Sequence, residues 1–207
     1  KYIVLSNEGS ANEPTVIGTK INHQYSKTYE FERDFYEYTR KYFGVEIRYF
    51  SLLRPIKEIQ IAYLFSKYKK YHKVFRSCNV GSKENPWRWC GNCPKCLFVY
   101  IMLEAFMEQE KVVEIFGENL LAKKSLEPEF LQLIGAAETK PFECIGTIEE
   151  VKYAMNRICA KDSSYIAELY RQSYYEEVEI DLQKMYYENN VPEEYLEIIA
   201  EAIRDAK

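Results

Sequence analysis

The sequence lacks any long apolar run. Its longest, Leu97 to Leu103, is far shorter than the roughly 20 residues that cross a bilayer, and no basic segment leads into an apolar stretch at the start. These absences point away from a membrane helix, a membrane partner or a secretory leader, and they predict a soluble, cytoplasmic protein. Charge of one sign is also missing. The 28 basic and 32 acidic side chains are scattered and leave a net charge of −4, so no field draws in a nucleic-acid backbone and no nucleic-acid partner is expected. Glycine is sparse and isolated: the 8 glycines form no Gly-rich turn of the kind that cradles phosphates. Histidine is limited to His23 and His72, and there is no fixed-period repeat or low-complexity linker.

What is present is a chain of 207 residues, 47% apolar, which is enough to bury a core without cross-links, as one domain or one domain with a helical annex. The chain begins at Lys1 rather than Met and opens directly on the apolar Tyr2-Ile3-Val4-Leu5, which predicts a segment cut from something longer. Lys1 to Ser6 reads as a buried parallel strand that enters the polar loop Asn7 to Asn12 at its carboxyl end. A helix follows from Thr28, with Phe31, Phe35, Tyr38, Tyr42 and Phe43 on one face, and stops at Gly44. Val45 to Ser51 reads as a second strand, Pro55 to about Lys70 as a helix, and Val74 to Ser77 as a third strand. Strand, helix, strand is the rhythm of a parallel α/β layer, whose ligands sit beyond the carboxyl ends of the strands. The remainder reads as helices near 94–109, 111–116, 128–134, 148–160, 163–189 with a break, and 192–206. The expected fold is therefore a helix-rich α/β portion over 1–161 with a helical appendage over 162–207.

Four of the six cysteines fall within nineteen residues, as Cys78-x11-Cys90-Gly91-Asn92-Cys93-Pro94-Lys95-Cys96. Thiolates two residues apart in a turn containing Gly and Pro can converge on one tetrahedral centre, and a closed set of four sulfurs suits structural zinc rather than a reactive site. An iron–sulfur cluster and a reduced, metal-free turn are the alternatives. Four thiolates around a divalent ion leave a charge near −2, which Arg76, Lys83, Arg88, Lys95 and the amino end of the helix after Pro94 can offset. His72 lies near Cys78 as a reserve ligand, but four cysteines close the site, so a solvated imidazole is expected. Trp87 and Trp89 are expected to shield the turn or to form part of a nucleotide or sugar platform.

Cys-Asn-Val-Gly at 78–81 with Trp-Cys-Gly-Asn-Cys-Pro-Lys-Cys-Leu-Phe at 89–98 resembles the zinc region of the queuosine-precursor synthases and their adenine nucleotide alpha-hydrolase-like relatives. With Ser6 to Ala11, Tyr49 to Pro55, Ile115-Phe116-Gly117 and Lys140 to Gly146 added, residues 1 to about 150 resemble the bacterial UDP-N-acetylmuramoyl-L-alanyl-L-glutamate epimerases, and in particular their C-terminal part. The resemblance implies a nucleotide alpha-hydrolase-like fold and ATP-dependent inversion of a terminal L-glutamate through an acyl adenylate, with magnesium serving the nucleotide. It implies the nucleotide-linked muramoyl peptide and ATP as small-molecule partners; a homo-oligomer is a further possibility. The sequence departs from that family in having no Ser-Gly-Gly-type phosphate loop, so the chain alone is not expected to turn over ATP. A related ligase or amidotransferase, or a non-catalytic zinc-stabilised interaction module, is the alternative.

Several residues carry a functional reading beside a plainer one. Asn7, Glu8, Ser10 and Asn12 are placed to bind substrate or magnesium, or simply to cap the next turn. Arg54 offers a forked clamp for a carboxylate or phosphate, or else an ordinary ion pair. Lys140-Pro141-Phe142-Glu143-Cys144 gathers a cation, a carboxylate and a thiol on one loop. Cys144 or Glu143 can serve as the proton-transfer group of an epimerase with Lys140 toward substrate, or be a half-buried thiol and a surface carboxylate. Cys159 reads as core, and the Tyr- and Glu-rich tail, including Tyr174, Tyr175, Tyr186 and Tyr187, as a packing or subunit surface.

Overall fold

A computed structural model describes residues 1–14, 16, 18–44, 47–81 and 89–206. Trp87, Lys83 and Arg88, and the Val45-Glu46 start of the expected second strand, lie outside them. The chain divides into two compact units, residues 1–61 with 181–207 and residues 62–180.

In the first unit, β1 (Tyr2–Leu5) pairs in parallel with β2 (Arg48–Ser51), Tyr2 opposite Arg48 and Leu5 opposite Ser51. A parallel pair needs a crossover, and α1 (Tyr29–Tyr42) supplies it. Thr28 caps α1 by accepting from the Phe31 amide at 3.2 Å, satisfying one of the orphan donors of the first turn. β1 is not the buried strand expected: Tyr2, Ile3 and Val4 are 46%, 43% and 48% exposed. Among the described residues the sheet has two strands, and Tyr195 of α8 (Glu193–Ile203) packs on Tyr2 and Phe50 with ring centroids 5.9 Å apart in each case. α1 also differs from its apolar periodicity. Its buried residues are Glu32 and Thr39, whereas Tyr38, Tyr42 and Phe43 are exposed, with the Tyr38 ring tilted against Tyr42 and edge-on to Phe43. The cause is polar: Glu32 turns inward to a buried arginine.

α2 (Glu58–Ser66) starts later than expected, because residues 52–57 form turns, and the division between the units falls within it. The anticipated strand over Val74 to Ser77 is irregular backbone leading into Cys78. The second unit is helical: α3 (Pro94–Glu104), α4 (Gln109–Phe116), α5 (Glu127–Leu133), α6 (Ile148–Cys159) and α7 (Tyr165–Ser173). α3 is apolar on every side, and Leu97, Phe98, Tyr100, Ile101, Met102 and Leu103 are at most 2% exposed. A helix with that pattern must be surrounded, and α4, α5 and α6 all pack against it. Each large apolar side chain buried there contributes about 1.5–3 kcal/mol. The long helix expected over 163–189 ends at Ser173, and residues 174–192 are irregular. Among the described residues, no helix is long and apolar enough to cross a membrane.

Candidate functional site

The four clustered cysteines converge in the second unit. Cys93 is the N-cap of α3, its Sγ accepting from the Cys96 amide at 3.4 Å with Pro94 in the first helical turn, so one residue both starts the core helix and faces the cluster. Gly91, at φ 66, turns the chain between Cys90 and Cys93 in a conformation that favours glycine. The Sγ atoms of Cys78 and Cys93 are 3.8 Å apart, those of Cys90 and Cys96 3.5 Å, and those of Cys93 and Cys96 3.5 Å, with all four within 4.8 Å of one another. Sulfurs at about 2.3 Å from a tetrahedral ion are separated by about 3.8 Å, so the set can hold one metal ion. Among the described residues it is the one grouping of three or more Cys, His, Asp or Glu ligand atoms that meets this requirement.

Without a metal the thiols share protons. Cys93 is lowered to about 5, foremost by its hydrogen bond with the Cys96 thiol, while burial leads in pushing Cys90 up to about 11. A bound ion would replace those protons, and the Gly81 amide donates to the Cys78 Sγ at 3.1 Å. Of the cations expected to offset the thiolates within the described residues, Lys95 donates to the Cys144 carbonyl and Arg76 to the Phe75 carbonyl. His72 is not solvated as expected. It is 8% exposed, with Nε2 3.0 Å from the Phe65 carbonyl and its ring against Phe65. Trp89 is buried between Phe75 and Phe116 beside Cys90.

The Lys140–Gly146 segment lies in the same unit. Lys140 is buried and its ammonium donates to the Gly146 carbonyl at 3.2 Å, closing the loop on itself. Glu143 and Cys144 are half-buried, Phe142 is 69% exposed, and Glu143 Oε2 accepts from the Asn79 amide at 2.8 Å.

The first unit brings together Asn7, Glu8, Ser10, Asn12 and Arg54. Arg54 is fully buried: Nη1 donates to the Glu8 carbonyl at 2.6 Å, Nη2 to the Lys27 carbonyl at 2.5 Å, and the guanidinium lies 3.6 Å from Glu32. Burial lowers its pKa from the ordinary arginine value, and Glu32 opposes that shift. Glu32 also accepts from the Ser51 amide at 3.1 Å and the Asn190 side chain at 3.3 Å. Ser10 donates to Glu8 at 2.7 Å, Asn7 to the Ser51 hydroxyl at 3.3 Å, and Asn12 accepts from the Tyr29 amide at 2.9 Å. The Asn7–Asn12 loop is thus pinned onto the ends of both strands and the start of α1. Gly9 fits there because Tyr187 lies where a side chain would be, its ring 2.0 Å from an ideal Cβ. A cleft of about 260 Å³ in this unit is lined by Tyr36, Arg48, Tyr49, Asn190 and Val191, none of which was a candidate site residue from sequence, although Tyr49 opens one of the stretches that carry the family resemblance.

Glu32 and Asn190 also escaped the sequence reading, as did the contacts that Asn79 and Lys95 make with the Lys140–Gly146 segment. Asn79 and Lys95 carried a signal, since each directly follows or separates the clustered cysteines. Glu32 and Asn190 are 158 residues apart and carried none.

Fold and site define a helix-rich α/β protein with a four-cysteine, metal-capable centre. The MurL C-terminal domain family matches residues 74–185, and the MurL N-terminal domain family matches residues 1–52. The chain belongs to the MurL family. It is 41% identical over 164 residues to the UDP-N-acetyl-alpha-D-muramoyl-L-alanyl-L-glutamate epimerase of Micromonospora, a match covering 77% of this chain and 37% of that protein. Proteins of the same name from Xanthomonas oryzae pv. oryzae and Salinispora tropica are each 40% identical, over 74% of this chain and 35% of their own length. The chain thus spans little more than a third of the length of these curated relatives. No solved structure gives a significant match.

Proposed function

We propose that this chain is part of a cytoplasmic enzyme that inverts the terminal L-glutamate of UDP-N-acetylmuramoyl-L-alanyl-L-glutamate during peptidoglycan precursor synthesis. The observation that carries this reading is its 40–41% identity to three epimerases of that name. An α-proton next to a free carboxylate is a poor acid. Joining that carboxylate to AMP, with release of pyrophosphate, removes its negative charge and makes the α-carbon acidic enough for a protein base. Cys144 and Glu143 are the groups we assign to that proton, one removing it and the other delivering a proton to the opposite face of the carbon, after which water cleaves the acyl–phosphate bond to give the carboxylate and AMP. Asn79 fixes the Glu143 carboxylate through its 2.8 Å hydrogen bond, which favours one orientation of the base. ATP and magnesium are assigned to the portion of the full-length relatives that this chain does not cover, in a nucleotide alpha-hydrolase-like fold, since no Gly-rich turn is present here. Asn7, Glu8, Ser10, Asn12, Arg54 and Lys140 are assigned to substrate, directly or by shaping the loops that touch it, and zinc to the four cysteines as a structural ion.

The test incubates the full-length protein with the L-glutamate substrate and ATP, then hydrolyses the product and resolves its glutamate on a chiral column. D-glutamate with stoichiometric pyrophosphate is expected. A ligated product without inversion supports the ligase alternative, and no reaction at all supports a non-catalytic module.

A further inference from the structure

We infer that the four-cysteine centre positions the Lys140–Gly146 loop, with Lys95 and Asn79 as its two clamps. Asn79 directly follows Cys78, and Lys95 separates Cys93 from Cys96, so both clamps are anchored on backbone that a metal ion would fix. Each reaches a different part of the loop. The Lys95 ammonium donates to the Cys144 carbonyl, and the Asn79 amide donates to Glu143 Oε2 at 2.8 Å. The loop ends have further contacts: Lys140 is bonded to the Gly146 carbonyl, Ile145 is 3% exposed, and Gly146 leaves room for nothing larger beside Phe98 and Glu150, whose atoms come within 3.0 Å of an ideal Cβ. Between those ends Phe142 is 69% exposed and Glu143 and Cys144 are half-buried, and both clamps act on this stretch.

The centre therefore does more than brace the fold, because it sets where Cys144 and Glu143 stand. Lys95 and Asn79 are positioning residues: they touch the loop, and the metal acts through them. The inference takes from the proposed function only the roles of Cys144 and Glu143, and its test needs no turnover.

The full chain is loaded with zinc, its metal content is measured, and the rate of Cys144 alkylation by iodoacetamide is followed by peptide mass mapping, which separates Cys144 from the ligand cysteines and Cys159. Lys95→Met is expected to retain zinc and alkylate at Cys144 about tenfold faster, the factor set by losing one charge-assisted hydrogen bond. Lys95→Arg should return the rate toward that of the unaltered chain. Chelated unaltered chain should match Lys95→Met, but because chelation also loosens the scaffold, the zinc-retaining variant decides. Full zinc content with an unchanged Cys144 rate in Lys95→Met overturns the inference. Should that variant fail to fold, Asn79→Ala, at an exposed position, carries the same comparison with the same two outcomes. Failure of this coupling leaves glutamate inversion untouched, and absence of inversion leaves the alkylation result standing, so the two are told apart.

Discussion

Glu104 is a buried carboxyl that neither the metal centre nor the loop uses. It is fully buried at the end of α3, and its pKa is raised from 4.5 to about 7, chiefly by burial and then by the neighbouring Asp162. Gln109, Lys161 and Tyr100 also face it and pull the other way. Glu104 Oε2 and Asp162 Oδ2 each lack a hydrogen-bond partner among the described residues, which is costly for charged oxygens and tolerable for a protonated one. Because the folded value lies above the unfolded one, the folded state holds the proton longer. Its contribution is complete below pH 4.5 and is lost once the pH has risen through about 7, a change of at most about 3 kcal/mol. Glu104→Gln is expected to flatten this dependence: the urea midpoint of the unaltered chain should fall between pH 5 and pH 8, and that of the variant should fall much less. Equal slopes would rule the assignment out.

At the scale of elements, α6 was legible because its signals are local. Thr147 and Glu150 form a complete capping box, Thr147 Oγ1 accepting from the Glu150 amide at 3.1 Å and Glu150 Oε2 from the Thr147 amide at 2.8 Å. Thr147→Ala is expected to cost about 1 kcal/mol in thermal or chemical unfolding, with no change in metal content. β1, β2, the core helix α3 and the convergence of the cysteines were readable for the same reason, since each depends on neighbours in sequence. The inward face of α1 was not. Five aromatics along one stripe outweighed a single glutamate, yet Glu32 takes the buried position because its partners, Arg54, Ser51 and Asn190, lie far along the chain. The third strand failed similarly: Val74 is 62% exposed, so its β-propensity had no face to cover.

At the scale of the whole molecule, the order of units could not be read from periodicity. Residues 181–207 fold with residues 1–61: the Tyr186 amide donates to the Pro55 carbonyl at 2.7 Å, and the Gln60 side chain donates to the Leu182 and Lys184 carbonyls at 2.9 and 3.0 Å. Such pairings between distant residues leave no trace in local pattern. The cysteine spacing and the family resemblance, by contrast, were legible from the start, and they carry the functional account. That account rests on one metal ion held by Cys78, Cys90, Cys93 and Cys96, and its most direct test is elemental analysis of the purified, reduced chain beside a Cys90→Ser variant. About one zinc per chain, lost in the variant together with cooperative unfolding, is the predicted result. A folded chain that binds no metal, or a variant that keeps it, would contradict the account.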